Sequence, residues 1–362
     1  MDKKSRSCRF SALALGLIAL GGQGAQAQSS VAIYGTIDAN IGSYKGAATG
    51  ITGKSVRTWQ QEAGGMTTSF FGIKGSEDLG GGLKAEFDLQ SFHRNDTGSS
   101  GRSDAIPNVV AADPFFSKAS WVGFQSASWG KLRLGNMITP LFLNSIGSNA
   151  FGDSTVFSPI NLVTFVGSPL SGGTNWKDTV FYETPRMGGL TLSLNHAFSE
   201  GANGANTGVR AAYASGAWST SLVWTSVKRD PVTFSDGTTR NDTRNLQLAA
   251  AYDFQVVKLF AHLGQIQVLA DSASATRKVT HDIWGLSASA PLGNGTLLAG
   301  MASRKGDEEI GASRRSVISL GYDYPLSRRT DLYAVLRNDR TRAAAALDVS
   351  GSSYAAGIRH RF

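Results

Sequence analysis

The sequence predicts an all-β chain, a transmembrane antiparallel β-barrel of about sixteen strands. Three observations predict it. Apolar and polar residues alternate in segment after segment from Val31 to the last residue, Phe362, with no long helical stripe between them. Tight turns alternate with long polar stretches, as where one rim of a barrel carries hairpins and the other carries loops. The N-terminus reads as an export signal, yet no later window approaches the roughly 20 apolar residues of a spanning helix, and a closed barrel is the other way to satisfy a backbone inside lipid.

The export signal is built from Lys3, Lys4, Arg6 and Arg9, then the apolar run SALALGLIALGG, then Ala25-Gln26-Ala27 with small residues at the cleavage positions. Residues 1–27 are therefore expected to be removed, leaving 28–362 as the mature chain. Cys8, the one cysteine among 362 residues, leaves with the signal, so neither a disulfide nor a thiolate metal site is expected. Charged residues make up 17% of the chain, fewer than the roughly 25% of soluble domains. The net charge is +8, but the bases are scattered rather than clustered with aromatics, which argues against a nucleic-acid groove.

In VAIYGTIDANI, Val31, Ile33, Ile37 and Ile41 share one face while Tyr34, Thr36, Asp38 and Asn40 share the other. SFFGIKGSEDLGGGLKAEFDLQ reads as a hairpin: Phe71 and Ile73 oppose Lys74, a glycine turn spans Asp78 to Gly82, and Leu83, Ala85, Phe87 and Leu89 oppose Lys84, Glu86, Asp88 and Gln90. The same pattern recurs in LTLSLNHAF, NLQLAAAYDF and VISLGYDYPL. Segments begin near residues 31, 67, 83, 118, 130, 178, 189, 208, 217, 245, 256, 279, 295, 315, 330 and 351. Turns such as Ser128–Gly130, Ser215–Ala217 and Pro291–Gly295 alternate with long stretches such as 95–117, 229–244, 269–278 and 303–314. A soluble sandwich would also alternate; aromatics near strand ends on the apolar face (Phe71, Trp284, Tyr322, Tyr324, Phe362) and a polar second face favour a barrel with a wet lumen. In YAAGIRHRF, Tyr354, Ala356, Ile358, His360 and Phe362 share the lipid-type face.

The stretch Pro140 to Asn175 neither alternates nor shows a helical stripe, and Pro140, Pro159 and Pro169 with clustered Gly, Ser and Asn argue for a long functional loop. It has no Lys or Arg, and Asp153 is its one acid.

QSSVAIYGTIDANI, FFGIKGSEDLGGGLKAEFDL, SWVGFQSASWGKLRLGN, VFYETPRMGGLTLSLNHAF and the closing GIRHRF resemble Gram-negative general porins of the β-proteobacterial type, from Gln28 to Phe362. The resemblance implies a sixteen-stranded barrel in the outer membrane with an inward-folded third loop, which the order of elements places at 140–175. It also implies a homotrimer surrounded by lipid and lipopolysaccharide, and a terminal Phe362 read by the barrel-assembly machinery. No cofactor is implied. Two departures stand out: the family commonly has an arginine where this chain has Phe70, and another where it has Asn136.

A channel of this kind does no bond chemistry and selects by width and fixed charge. By parity the wall near the loop draws on Lys74, Lys84, Arg133, Arg337 and Arg359 against Asp38, Glu86, Asp88 and the loop's Asp153, with Phe70 where a base is missing; Lys84 stands beside the hairpin rim, where a solvated role is favoured. The balance leans toward passive passage of small hydrophilic solutes and ions, with a weak anion preference or near neutrality. Each base has an alternative as a solvated or salt-paired side chain. Phe142, Phe151, Phe157 and Phe165 either pack the loop to the wall, the favoured role, or narrow the lumen. A substrate-specific channel and a surface adhesion barrel are the competing functions. Catalysis is disfavoured because the five histidines lie apart, with no serine elbow or metal-ligand spacing around them.

Overall fold

A computed structural model describes residues 29–45, 57–102, 114–165, 171–201, 204–228, 239–271, 276–306, 313–343 and 346–362. The wall comprises β1 (Ser30–Tyr44), β2 (Thr58–Ala63), β3 (Phe70–Gly80), β4 (Leu83–Phe92), β5 (Ala119–Ser126), β6 (Gly130–Ile138), β7 (Asn175–Glu183), β8 (Leu190–Ala197) and β9 (Asn206–Ser215). It continues through β10 (Trp218–Val227), β11 (Thr239–Asp253), β12 (Lys258–Asp271), β13 (Thr276–Leu292), β14 (Gly295–Gly306), β15 (Ser313–Pro325), β16 (Thr330–Ala343) and β17 (Ala346–Arg361). From β3 to β17 each strand pairs antiparallel with the next, and β17 returns to β1 through Thr36–Arg361 to Ser43–Tyr354. Along its other edge β1 pairs with β3 over Ser30–Thr36 and with β2 over Ala39–Tyr44. Hence β2 and β3 are two pieces of one wall strand, and seventeen strands fill sixteen places in a closed barrel. The expected strand starts are met to within a few residues for most of the wall.

Closure gives every strand two different solvents, and the alternation follows from that. In β17, Tyr354, Ala356, Ile358 and His360 are exposed outside while Ser353, Ala355 and Arg359 are buried inside. At the hairpin rim Gly80, Gly81 and Gly82 all take positive φ (83°, 60° and 78°), a run that side chains with a Cβ would strain. Near the same rim, on the outer face, stand Tyr213, Trp218, Phe254 and Tyr324, an aromatic belt at the membrane interface. Trp284, expected near a strand end, is mid-strand in β13.

The opposite rim departs from expectation in height. β12 runs to Asp271, β13 starts at Thr276, β14 runs to Gly306 and β15 starts at Ser313, so the stretches 269–278 and 303–314 shrink to connections at 272–275 and 307–312, residues outside the described set. Both faces are polar there, and the period fades while the ladder continues. The Pro140–Asn175 segment departs too: it contains α1 (Pro140–Ile146) and α2 (Pro159–Thr164). Pro140 and Pro159, read as breakers, instead occupy the first turns of these helices, where a missing N–H costs nothing. Thr139 caps α1 by accepting from the Phe142 N–H at 3.2 Å.

Candidate pore lining

The segment between β6 and β7 packs along the inner wall. Its helices contact β9 to β11 and β13 to β15. In α1, Leu141 is buried with Phe165 and Val223, and Asn144 donates to Gln247 (3.1 Å) and accepts from Ser221 (2.5 Å). In α2, Ile160, Leu162 and Val163 bury against Ile266, Val268, Ile283, Ala302 and Val317, the apolar members of the inner face there. Phe151 lies over Gly300 and Gly321, where a Cβ would approach its ring to 3.3 Å. Phe157 is sealed among Met66, Tyr333, Val335 and Ala355. Phe151, Phe157 and Phe165 are each at most 2% exposed and pack rather than narrow the lumen; Phe142 is half-buried against Phe165.

Three wall arginines complete the attachment. The last carbonyls of a helix lack intrahelical partners. Those of Leu162 and Val163 accept from Arg315 Nη1 at 2.8 Å and Arg304 Nη1 at 2.9 Å, and the Val156 carbonyl accepts from Arg337. Arg315 also forks onto Asp339 at 3.1 and 2.7 Å. These bases hold the loop at the face where it meets the wall.

The tip of the segment meets the seam where β1 and β17 close the barrel. Asp153 accepts from the Thr67 hydroxyl at 3.0 Å, and Ser154 donates to the Gly65 carbonyl at 2.7 Å. Gly64 to Ser69 bridge the break between β2 and β3, and the Asp38 carboxylate fills that break. It accepts from the N–H groups of Gly65 (3.0 Å), Met66 (2.8 Å) and Thr67 (2.8 Å) and from the Tyr333 hydroxyl (2.5 Å). Asp38 is 0% exposed. It stands on the inner face, as alternation requires, but it satisfies backbone donors rather than facing the water path, which corrects the expectation of a wall charge. Arg359 pairs with Asp331 (2.8 Å) and Asp323 (2.9 Å), and Arg361 with Asp331 (2.7 Å).

The inner wall of β3 to β6 lies outside the footprint of the two helices. Here Tyr34 donates to Asp88 at 2.6 Å, with Gln90 on the other carboxylate oxygen at 2.7 Å. The Lys74 ammonium sits 4.5 Å from the Tyr34 ring centre. Arg133 lies 4.1 Å over the Trp121 ring and 3.8 Å from Glu86. Ser30, Lys74, Glu86, Asp88, Trp121 and Arg133 line an open recess of about 380 Å³. Phe70 lies farther along the wall, its ring under the Lys118 ammonium at 4.5 Å. The structure thus brings Lys74, Glu86, Asp88 and Arg133 together, adds Lys118, and sets Asp153 at the seam.

A family model described as Gram-negative porin matches residues 12–344. The chain belongs to the Gram-negative porins. Outer membrane porin protein 32 of Delftia acidovorans is 29% identical over 365 residues, covering 96% of this chain and 95% of that protein. An outer membrane porin protein of Bordetella pertussis is 27% identical, covering 97% of this chain and 99% of that protein. Among solved structures, the anion-selective porin from Comamonas acidovorans is 26% identical with a TM-score of 0.76, covering 92% of this chain and all of that one. This porin is therefore an outer-membrane channel and not an enzyme. Sequence reasoning assigned no role in it to Arg304, Arg315 or Lys118. The first lies in a stretch read as loop, the second at the first residues of a strand, and the third where a loop turns into β5, places where parity gives no signal.

Proposed function

We propose that this porin is a general diffusion channel for ions and small hydrophilic solutes, weakly anion-preferring, with residues 140–175 as its constriction. The observation that carries the reading is an excess of unpaired bases over unpaired acids on the inner wall. Asp38 is sealed and Glu86 faces Arg133, which leaves Asp88 and Asp153, each held by neutral donors, against Lys74, Lys118 and Arg210, none of which makes an ion pair among the described residues. Fixed charge in a narrow aqueous passage biases the ions that pass it. The Comamonas relative is named for anion selectivity, which supports the same sign. We further infer export with removal of residues 1–27, which rests on the N-terminal residues, and a homotrimer in lipid and lipopolysaccharide with reading of Phe362 by the assembly machinery, which rest on the family resemblance.

The test is the reversal potential of purified protein in a planar bilayer under a KCl gradient, with single-channel conductance. Large steps with an anion-preferring sign support the reading. A cation-preferring sign removes the charge argument and leaves the porin. Saturation of conductance with block by one solute would move it to a substrate-specific channel.

A further inference from the structure

We propose that Lys118 sets the ion preference of this porin, for chloride and small carboxylates, and that Phe70 and Asn136 are its positioning residues; the inference deepens the anion-preferring reading and rests on it. The two positions where the family's wall arginines are replaced both converge on Lys118. At the first, the Phe70 ring lies 4.5 Å beneath the Lys118 ammonium, with the Phe92 ring at 5.5 Å on another side. At the second, Asn136 Nδ2 donates to the carbonyls of Phe116 and Ser117, both at 3.3 Å, and so fixes the two residues that lead into Lys118.

The backbone of Lys118 is pinned as well. Its N–H donates to the Gln90 carbonyl at 3.1 Å, and its carbonyl accepts from Asn175 Nδ2 at 2.6 Å, which ties it to the first residue of β7. Ser117 Oγ accepts from the Phe92 N–H at 3.2 Å. A lysine ordinarily wanders on a four-carbon stem. Here aromatic faces attract its ammonium without neutralising it. The charge that the two arginines would have supplied is delivered by one base held from both of their former places.

Several other bases of the wall are engaged elsewhere. Arg133 faces Glu86, Arg359 is shared between Asp331 and Asp323, and Arg304, Arg315 and Arg337 hold loop carbonyls. Lys74 and Arg210 are unpaired as well: Lys74 sits with Asp88, its register partner across the ladder, and Arg210 stands on the inner face of β9 opposite Ser193 and Val223.

The experiment is the reversal potential under a KCl gradient for wild type, Lys118→Gln, Lys118→Arg, and Lys118→Gln combined with Asn136→Arg. A unit charge roughly 6 Å from the ion path, screened over about 8 Å, changes the anion-to-cation permeability ratio by about threefold. Lys118→Gln is expected to lower the ratio by that factor, Lys118→Arg to keep it, and Asn136→Arg to restore it in the Lys118→Gln background. Asn136→Ala is expected to lower the ratio while single-channel conductance stays near wild type, which a merely structural role would not produce. An unchanged ratio in Lys118→Gln overturns the proposal, as does a drop equalled by Lys84→Gln, a control at the hairpin rim. The shift tests Lys118 whatever the wild-type sign: a cation-preferring wild type removes the anion reading, yet a threefold fall on Lys118→Gln still supports Lys118 as the determinant.

Discussion

Replacing Asp38 by alanine removes one acceptor from four donors at once. The N–H groups of Gly65, Met66 and Thr67 and the Tyr333 hydroxyl all point at that carboxylate, which is 0% exposed. Each buried donor left without a partner costs about 1 to 3 kcal/mol. Thr67 is half-buried, so water can reach that edge of the break, and taking the lower end of the range for all four donors gives roughly 4 kcal/mol. The effect spreads, because Thr67 also holds Asp153 at 3.0 Å and accepts from Arg359 at 3.2 Å. The expected outcome is a fall in the temperature at which the folded band converts to the unfolded one on a denaturing gel, together with noisier single-channel current. Asp38→Asn, which keeps one acceptor oxygen, should lie between. The reversal potential should move less than in Lys118→Gln, since the charge is sealed from the ion path. Unchanged thermal stability with a large move toward anions would refute this account and make Asp38 the wall charge that parity alone suggests.

Phe151→Ala leaves a void over Gly300 and Gly321, and aromatic deletions of this kind cost about 3 to 5 kcal/mol; larger current noise than in Phe142→Ala, whose ring is half-buried, is the expected readout. Arg315→Ala strands Asp339, which is 2% exposed, and frees the Leu162 carbonyl, so thermal stability should fall by about 3 kcal/mol, with partial recovery when Asp339→Ala is added. Phe362→Ala keeps the paired backbone bonds with Gly35 (3.1 and 3.2 Å) and should conduct normally once purified, while the fraction folded into the membrane of cells falls; equal folded fractions would remove Phe362 as an assembly signal.

The barrel was legible because each wall strand meets two solvents. In β17 the outward residues Tyr354, Ala356 and Ile358 and the inward residues Ala355 and Arg359 obey period two without exception, and the hairpin at Gly80–Gly82 follows from glycine alone. β2 was not legible: TWQQEA is polar on both faces and too short to show a period. Nor were α1 and α2. A helix enclosed between a wall and its own loop needs no amphipathic stripe, and all six residues of α2 are buried. For the site, alternation gave the face of Asp38, Lys74, Glu86, Asp88 and Arg133 but neither their height nor what folds over them. That is why alternation alone presents Asp38 as a wall charge: the chain that covers it, Gly65 to Thr67, lies 27 to 29 residues farther along the sequence.

Charge in this lumen is divided between holding and steering, and the division follows from where carbonyls are left over. Two short helices laid along the wall leave carbonyls at the end of α2, and the segment, which contains no Lys or Arg, spends its amides Asn149 and Asn161 on the carbonyls of Ser145, Gly152 and Ser154. The wall must supply the donors, and it does so from β14, β15 and β16 with Arg304, Arg315 and Arg337. Bases in that position lie between loop and wall and act on the backbone they touch. Steering is then left to the uncovered wall, where a base next to an acid is half-neutralised, as Arg133 is by Glu86. A base over aromatic rings keeps its charge and loses its freedom, and Lys118 over Phe70 meets both conditions. A phenylalanine in the place of a wall arginine therefore need not mean a lost charge, because the ring can hold a cation brought by a neighbouring strand.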